Sequence, residues 1–114
     1  MNKIKIEYQY FEGCPNHKIL WDNLEAAIYG LEDKIELVKV LVENVETARR
    51  ISFRGSPTLL IEEEDLEKLP AQESASLSCR FYLKGVPTSE IIRKKILLKI
   101  KSIDNKPKED PIIP

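Results

Sequence analysis

The chain has no Cys-x-x-Cys, only two cysteines and a single histidine among 114 residues. A structural zinc site wants four ligands, usually Cys and His, so none can be completed from Cys/His within one copy. A soft ion such as mercury or copper(I), held by one or two thiolates, is the metal binding such a set still allows. Charge of either sign is also not in excess: 18 Lys+Arg face 19 Asp+Glu, a net charge of −1. No global field favours nucleic acid or an anionic membrane as partner. Apolar runs are short, none near the roughly 20 residues of a membrane helix. The opening "MNKIKIEYQY" alternates Lys with Ile and lacks the apolar core of a signal peptide. A cytoplasmic protein with free thiols is therefore expected, not a structural bridge. Phosphate-loop and dinucleotide fingerprints are missing too, and no cofactor is expected. Glu62-Glu63-Glu64-Asp65 reads as a solvated loop, not a calcium site.

What remains is the composition of one globular domain, 42% apolar and 32% charged. A chain of this size buries about two-thirds of its unfolded surface without needing a staple. Residues 3–10 alternate, with Ile4, Ile6, Tyr8 and Tyr10 on one face and Lys3, Lys5, Glu7 and Gln9 on the other, which predicts a strand. "GCPN" breaks it, and Leu20, Leu24, Ala27, Ile28 and Leu31 then recur at helical spacing. "KIELVKVLV" (34–42) predicts a second strand, more buried than the first. Asn44 is placed to cap a short helix that ends near Phe53. "PTLLI" (57–61) predicts a third strand, residues 62–76 a long connection and "LSCRFYL" (77–83) a fourth strand. Thr88 or Ser89 caps a last helix striped by Ile92, Ile96, Ile100 and Ile103. The order is β-α-β-α-β-β-α, an α/β fold with a mixed four-stranded sheet. Both early β-α-β steps are expected as right-handed crossovers between parallel strands. The domain spans 1–103, and the Pro-containing tail, 104–114, is expected to be poorly ordered.

The first strand carries Lys5, Glu7 and Gln9 on a face that a central strand should bury. Either the short second helix covers that face incompletely, or Glu7 is buried and paired, or a second subunit covers it as in a homodimer. A buried Glu7 beneath Cys14 would be a proton acceptor.

"YFEGCPN", "ARRISFRGSPT" and "LSCRFY" resemble the signature blocks of a small, poorly characterised family of thioredoxin-like proteins of bacteria and archaea. The resemblance runs from about residue 3 to residue 100. It implies a three-layer thioredoxin-like fold with Cys14 at the position of the nucleophilic cysteine. It also implies that Pro57 is the cis-proline opposite Cys14, and that Ser56 lends backbone groups to a bound chain or thiol. The departure is His17, which stands where dithiol relatives carry a second cysteine. That argues against an ordinary disulfide reductase.

Local chemistry leaves two settings for Cys14. If Pro15 is the first helical residue, Cys14 is the N-cap, and the helix dipole lowers its pKa below about 8.5. His17 can then lean back, either adding charge or accepting the thiol proton. If Asn16 caps a helix starting at His17, Cys14 lies in the loop and feels the dipole weakly. The resemblance favours the first. Arg54 is either a surface residue or a charge facing Cys14, stabilising its thiolate or binding an anionic substrate. Cys79 shares a strand face with Leu77, Phe81 and Leu83 and is expected buried and inert. Were it to reach Cys14, within about 7 Å between Cα atoms, it would be a resolving thiol that no Cys-x-x-Cys search finds. The resulting expectation is a monothiol redox protein, with Cys14 and His17 catalytic, Ser56, Pro57 and Arg54 binding substrate, and a small thiol or protein disulfide as partner. The alternative is a non-catalytic scaffold that binds a partner or a soft metal ion.

Overall fold

A computed structural model describes residues 3–104, apart from residues 74 and 83. The alternating N-terminal segment forms β1 (Ile4–Tyr10), which lies inside a sheet of order β2-β1-β3-β4. β2 (Ile35–Leu41) runs parallel to β1, from Ile4 opposite Ile35 to Tyr10 opposite Leu41. β3 (Thr58–Ile61) runs antiparallel to β1, and β4 (Glu64–Asp65) antiparallel to β3. Three α-helices lie among the described residues: α1 (His17–Ile28), α2 (Val45–Arg50) and α3 (Ser89–Asp104). The molecule is thus a mixed α/β structure with a four-stranded mixed open sheet. No described helix is long and apolar enough to cross a membrane.

The apolar stripes place the helices. Leu20, Leu24 and Ala27 of α1, with Ile92 and Ile96 of α3, close over Ile4, Ile6 and Tyr8 of β1 to form the main core. Gly30, at φ +84°, ends α1 in the left-handed conformation that favours glycine. Asn44 Oδ1 accepts from the Thr47 N–H at 2.8 Å and caps α2, and Thr88 Oγ1 accepts from the Ile91 N–H at 3.2 Å at the head of α3. A smaller core of Val42, Ala48, Phe53 and Ala75 forms around α2. Val40 packs against it, and its register partner Gln9 puts this cluster on the face of β1 opposite Tyr8. Because α2 is short, it covers that face unevenly. Side-chain exposure is 41% at Lys5 and 19% at Glu7, while Gln9 is buried at 1%. Glu7 Oε2 accepts from Gln9 Nε2 at 2.7 Å, so the cover is incomplete and Glu7 is paired but only half-buried.

Four expectations are corrected. β3 is antiparallel to β1, so only the first β-α-β step joins parallel strands. With six residues, α2 spans about 9 Å against about 23 Å for a seven-residue strand. The chain is not carried back to the start of the sheet and re-enters from the far end. β2 is an edge strand with several exposed positions, less buried than β1. The acidic run is not a plain loop. Glu62 and Glu63, at φ 53° and 68°, form a two-residue turn, and Glu64-Asp65 is the fourth strand. The segment 77–82 therefore adds no ladder, and its backbone pairs through an isolated parallel bridge, Cys79 opposite Ser56. Leu83 and the tail from Asn105 onward lie outside the described residues.

Gly55 sets how closely that segment approaches. Its φ is +102°, and an added Cβ would lie 3.0 Å from Arg80 Cβ and 3.2 Å from Arg80 Cα. Gly30 is also left-handed but has open space around it. Gly55→Ala is expected to destabilise the fold by about 1–3 kcal/mol more than Gly30→Ala, because overpacking adds to the backbone cost. Urea denaturation midpoints of the two variants check this.

Candidate functional site

The turn that carries Cys14 is closed by its own backbone. The Phe11 carbonyl accepts from the Cys14 N–H at 3.2 Å, and the Cys14 carbonyl accepts from the His17 N–H at 3.5 Å. α1 therefore begins at His17 with Asn16 at the cap position. Cys14 stands two residues before that cap, which corrects the reading with Pro15 as the first helical residue. The Cys14 residue is 2% exposed.

His17 is positioned by aromatic rings. Its imidazole stacks on Tyr10 at 5.3 Å, Tyr10 stacks on Tyr8 at 5.4 Å, and Lys39 Nζ sits 4.0 Å above the Trp21 ring. The Tyr8 hydroxyl donates to the His17 carbonyl, and burial pushes that hydroxyl's pKa up, so it stays a neutral donor. The ring expected to lean back toward Cys14 is engaged in this stack at the first residue of α1.

Ser56 is wholly buried and joins three pieces of chain. Its Oγ accepts from the Phe11 N–H at 2.8 Å and donates to the Phe11 carbonyl at 3.2 Å. Its N–H donates to the Ser78 carbonyl at 2.9 Å, and its carbonyl accepts from the Arg80 N–H at 2.8 Å. The Ser56–Pro57 bond is cis. The backbone groups expected to hold a bound chain thus hold this chain's own segment 78–80, termed the strap below.

The strap brings Cys79 to Cys14. The two form a disulfide with Cα atoms 5.6 Å apart, across 65 residues of sequence. This corrects three expectations, free thiols, a monothiol site and a buried Cys79, and it meets the alternative in which Cys79 lies within about 7 Å of Cys14. The cause is topological. A strand across the full edge of β3 would have carried Cys79 into the sheet, but β4 occupies that edge and leaves the strap only Ser56. In a parallel bridge, paired side chains lie on one side of the sheet. Cys79 therefore projects toward the turn that Ser56 Oγ holds. Cys79 itself is exposed.

Two further anchors fix the strap, and neither was foreseen. Arg80 NH1 and NH2 donate to the two Asp65 carboxylate oxygens at 2.6 and 2.7 Å, with both side chains almost wholly buried. The same carboxylate accepts from the Glu67 and Leu69 N–H groups at 2.9 and 3.0 Å. Burial works against ionisation of Asp65, but the Arg80 hydrogen bonds and these backbone donors outweigh it and hold the carboxyl below its ordinary value. The Tyr82 hydroxyl donates to the Pro57 carbonyl at 2.6 Å, and burial pushes its pKa up. In the sequence, Asp65 was hidden at the end of an acidic run. The one available signal was the alternation in "SCRFY", which sets Arg80 and Tyr82 on the side opposite Cys79.

Arg54 is tied to the loop that follows β4. Its Nε donates to the Leu69 carbonyl at 2.8 Å, and it lines a cleft of ≈ 540 Å³ with Glu67, Leu69, Arg80, Phe81 and Lys84. Among the described residues, no group of three or more His, Cys, Asp or Glu side chains is placed to hold a metal ion. Comparison with protein-family models finds none that matches the chain, and comparison with curated proteins finds no match either.

Asp65→Ala strands the Arg80 charge and is expected to cost about 3–5 kcal/mol in denaturant unfolding. Because the folded carboxyl titrates below the unfolded one, its contribution is complete above about pH 4 and is lost as pH falls through the folded value. Asp65→Asn should therefore flatten the acid limb of a stability-versus-pH profile. Ser56→Ala leaves the Phe11 N–H unpaired and is expected to cost about 1–3 kcal/mol. It should also make the disulfide easier to reduce, by about 20 mV for each kcal/mol of lost coupling between the two cysteines. Equilibrium with a dithiol buffer measures that shift.

Proposed function

We propose that the chain is a thioredoxin-like thiol–disulfide protein whose redox centre is the Cys14–Cys79 pair. The observation that carries this is the asymmetry of the pair: one cysteine is buried in a fixed turn, and the other is exposed on a strap anchored by bonds that do not involve sulfur. Two thiols closing to a disulfide release two electrons and two protons. The reverse reaction takes both from two external thiols, which leave as their own disulfide. Because the anchors do not depend on the bond, the reduced cysteines stay opposed and the disulfide can re-form. The parallel β1-α1-β2 unit, the antiparallel β3 and the cis Ser56–Pro57 bond near Cys14 support the thioredoxin-like assignment.

The burial of Cys14 favours a second role, a structural crosslink. A loop of this length, 65 residues apart in sequence, is worth about 4 kcal/mol in the chain-entropy account. A redox titration in dithiothreitol buffers, read by alkylation mass shift with far-ultraviolet circular dichroism in parallel, separates the two. A midpoint above about −300 mV with an unchanged spectrum is expected of an exchanging pair. A lower midpoint, or loss of structure on reduction, assigns the bond to the fold alone.

A further inference from the structure

We propose that an external thiolate attacks the oxidised pair at the Cys79 sulfur and expels the Cys14 thiolate, so that the exposed cysteine, not the one in the Gly-Cys-Pro turn, carries the mixed disulfide. This assignment rests on the proposed redox role and adds the direction of exchange. Thiol–disulfide exchange proceeds by displacement along the S–S axis, and access decides which sulfur is attacked. An attacker in line with the bond reaches the Cys14 sulfur only from the side away from Cys79. Cys14 is 2% exposed as a whole residue and lies in the Phe11–Cys14 turn that Ser56 Oγ pins. The Cys79 sulfur is attacked from the side away from Cys14; Cys79 as a residue is exposed, and Phe81, two positions on, is 80% exposed.

The step balances as follows. A thiolate RS⁻ forms a bond to the Cys79 sulfur, the Cys14–Cys79 bond breaks, and the electron pair leaves on Cys14. A second thiolate then takes the R sulfur, releasing RSSR and the Cys79 thiolate. Two thiols are oxidised, one protein disulfide is reduced, and the two thiol protons pass to the cysteines. Between the steps, the Ser56 main-chain bonds, the Arg80–Asp65 pair and the Tyr82–Pro57 hydrogen bond keep the adducted Cys79 beside Cys14. Cys14 therefore stands ready to attack Cys79 and expel RS⁻ when the external thiol is scarce.

The test uses the oxidised full chain and reduced glutathione as the probe, with acid quench, alkylation of free thiols and peptide mapping by mass spectrometry. Glutathione on Cys79 with alkylated Cys14 is expected, at least about tenfold over the reverse. Since intramolecular exchange can redistribute an adduct, a second measurement uses the reduced single-cysteine variants Cys14→Ser and Cys79→Ser, each checked for folding by circular dichroism. With an aromatic disulfide as probe, Cys79 in Cys14→Ser should react at least about tenfold faster than Cys14 in Cys79→Ser. Adducts on Cys14, or equal rates at the two thiols, overturn the direction of exchange and leave the redox role standing. A pair that glutathione does not open while the protein stays folded overturns both.

Discussion

The arrangement around the two cysteines depends on one buried residue with every polar group spent. Ser56 offers a hydroxyl, an N–H and a carbonyl, and each is paired. The hydroxyl answers both main-chain groups of Phe11, where β1 ends, and the main chain answers Ser78 and Arg80. A buried group left unpaired costs more than a typical hydrogen bond contributes, so these four bonds constrain one another. Moving the Cys14 turn would strand the hydroxyl, and lifting the strap would strand the amide and the carbonyl. The distance between the two cysteines follows from what Ser56 must satisfy, with the disulfide closing a gap already set.

The Asp65–Arg80 pair adds register to that position. A buried ion pair is weak as net stabilisation, since desolvation offsets much of the attraction. This one is bidentate, and two loop amides share the carboxylate, which is what such a pair needs to hold together in a dry site. Sliding the strap by one residue would exchange Arg80 for a neighbour and leave Asp65 charged and uncompensated. It would also turn Cys79 away from Cys14, because successive side chains in an extended segment point to opposite sides. The register that buries Arg80 is the register that presents Cys79.

Much of the scaffold was legible because it rests on period. The alternation of Ile4, Ile6 and Tyr8, the stripe of α1 and the stripe of α3 all appear where hydrophobic spacing put them. The Asn44 cap was legible because its chemistry is local. The direction of β3 was not, since it depends on how far the six residues of α2 carry the chain. The fourth strand was misplaced for a related reason. "LSCRFYL" has strand composition, but a ladder needs a free edge, and the unpromising Glu64-Asp65 occupies it through a tight turn. In the site, Cys14 was named from its Gly-Cys-Pro turn, and Ser56 and Pro57 only from the resemblance. Arg80 and Asp65 were not, and the partnership of Cys79 stood only as an alternative, because each exists only through a contact across the fold.

The missing second cysteine of "GCPNH" can be viewed in that light. In a Cys-x-x-Cys the first turn of one helix holds both sulfurs, and their separation is a property of local backbone. Here the position three residues on is His17, committed to an aromatic stack with Tyr10. The second sulfur arrives from 65 residues away on a segment with its own anchors. The two cysteines consequently sit in unlike surroundings, one buried in a turn and one exposed, where a shared helix turn would make them near neighbours in one environment. Separating the cysteines in sequence makes their spacing dependent on the whole fold, and it also lets burial differ between them. On the proposed redox role, that difference is what would give an exchange reaction at this pair its direction.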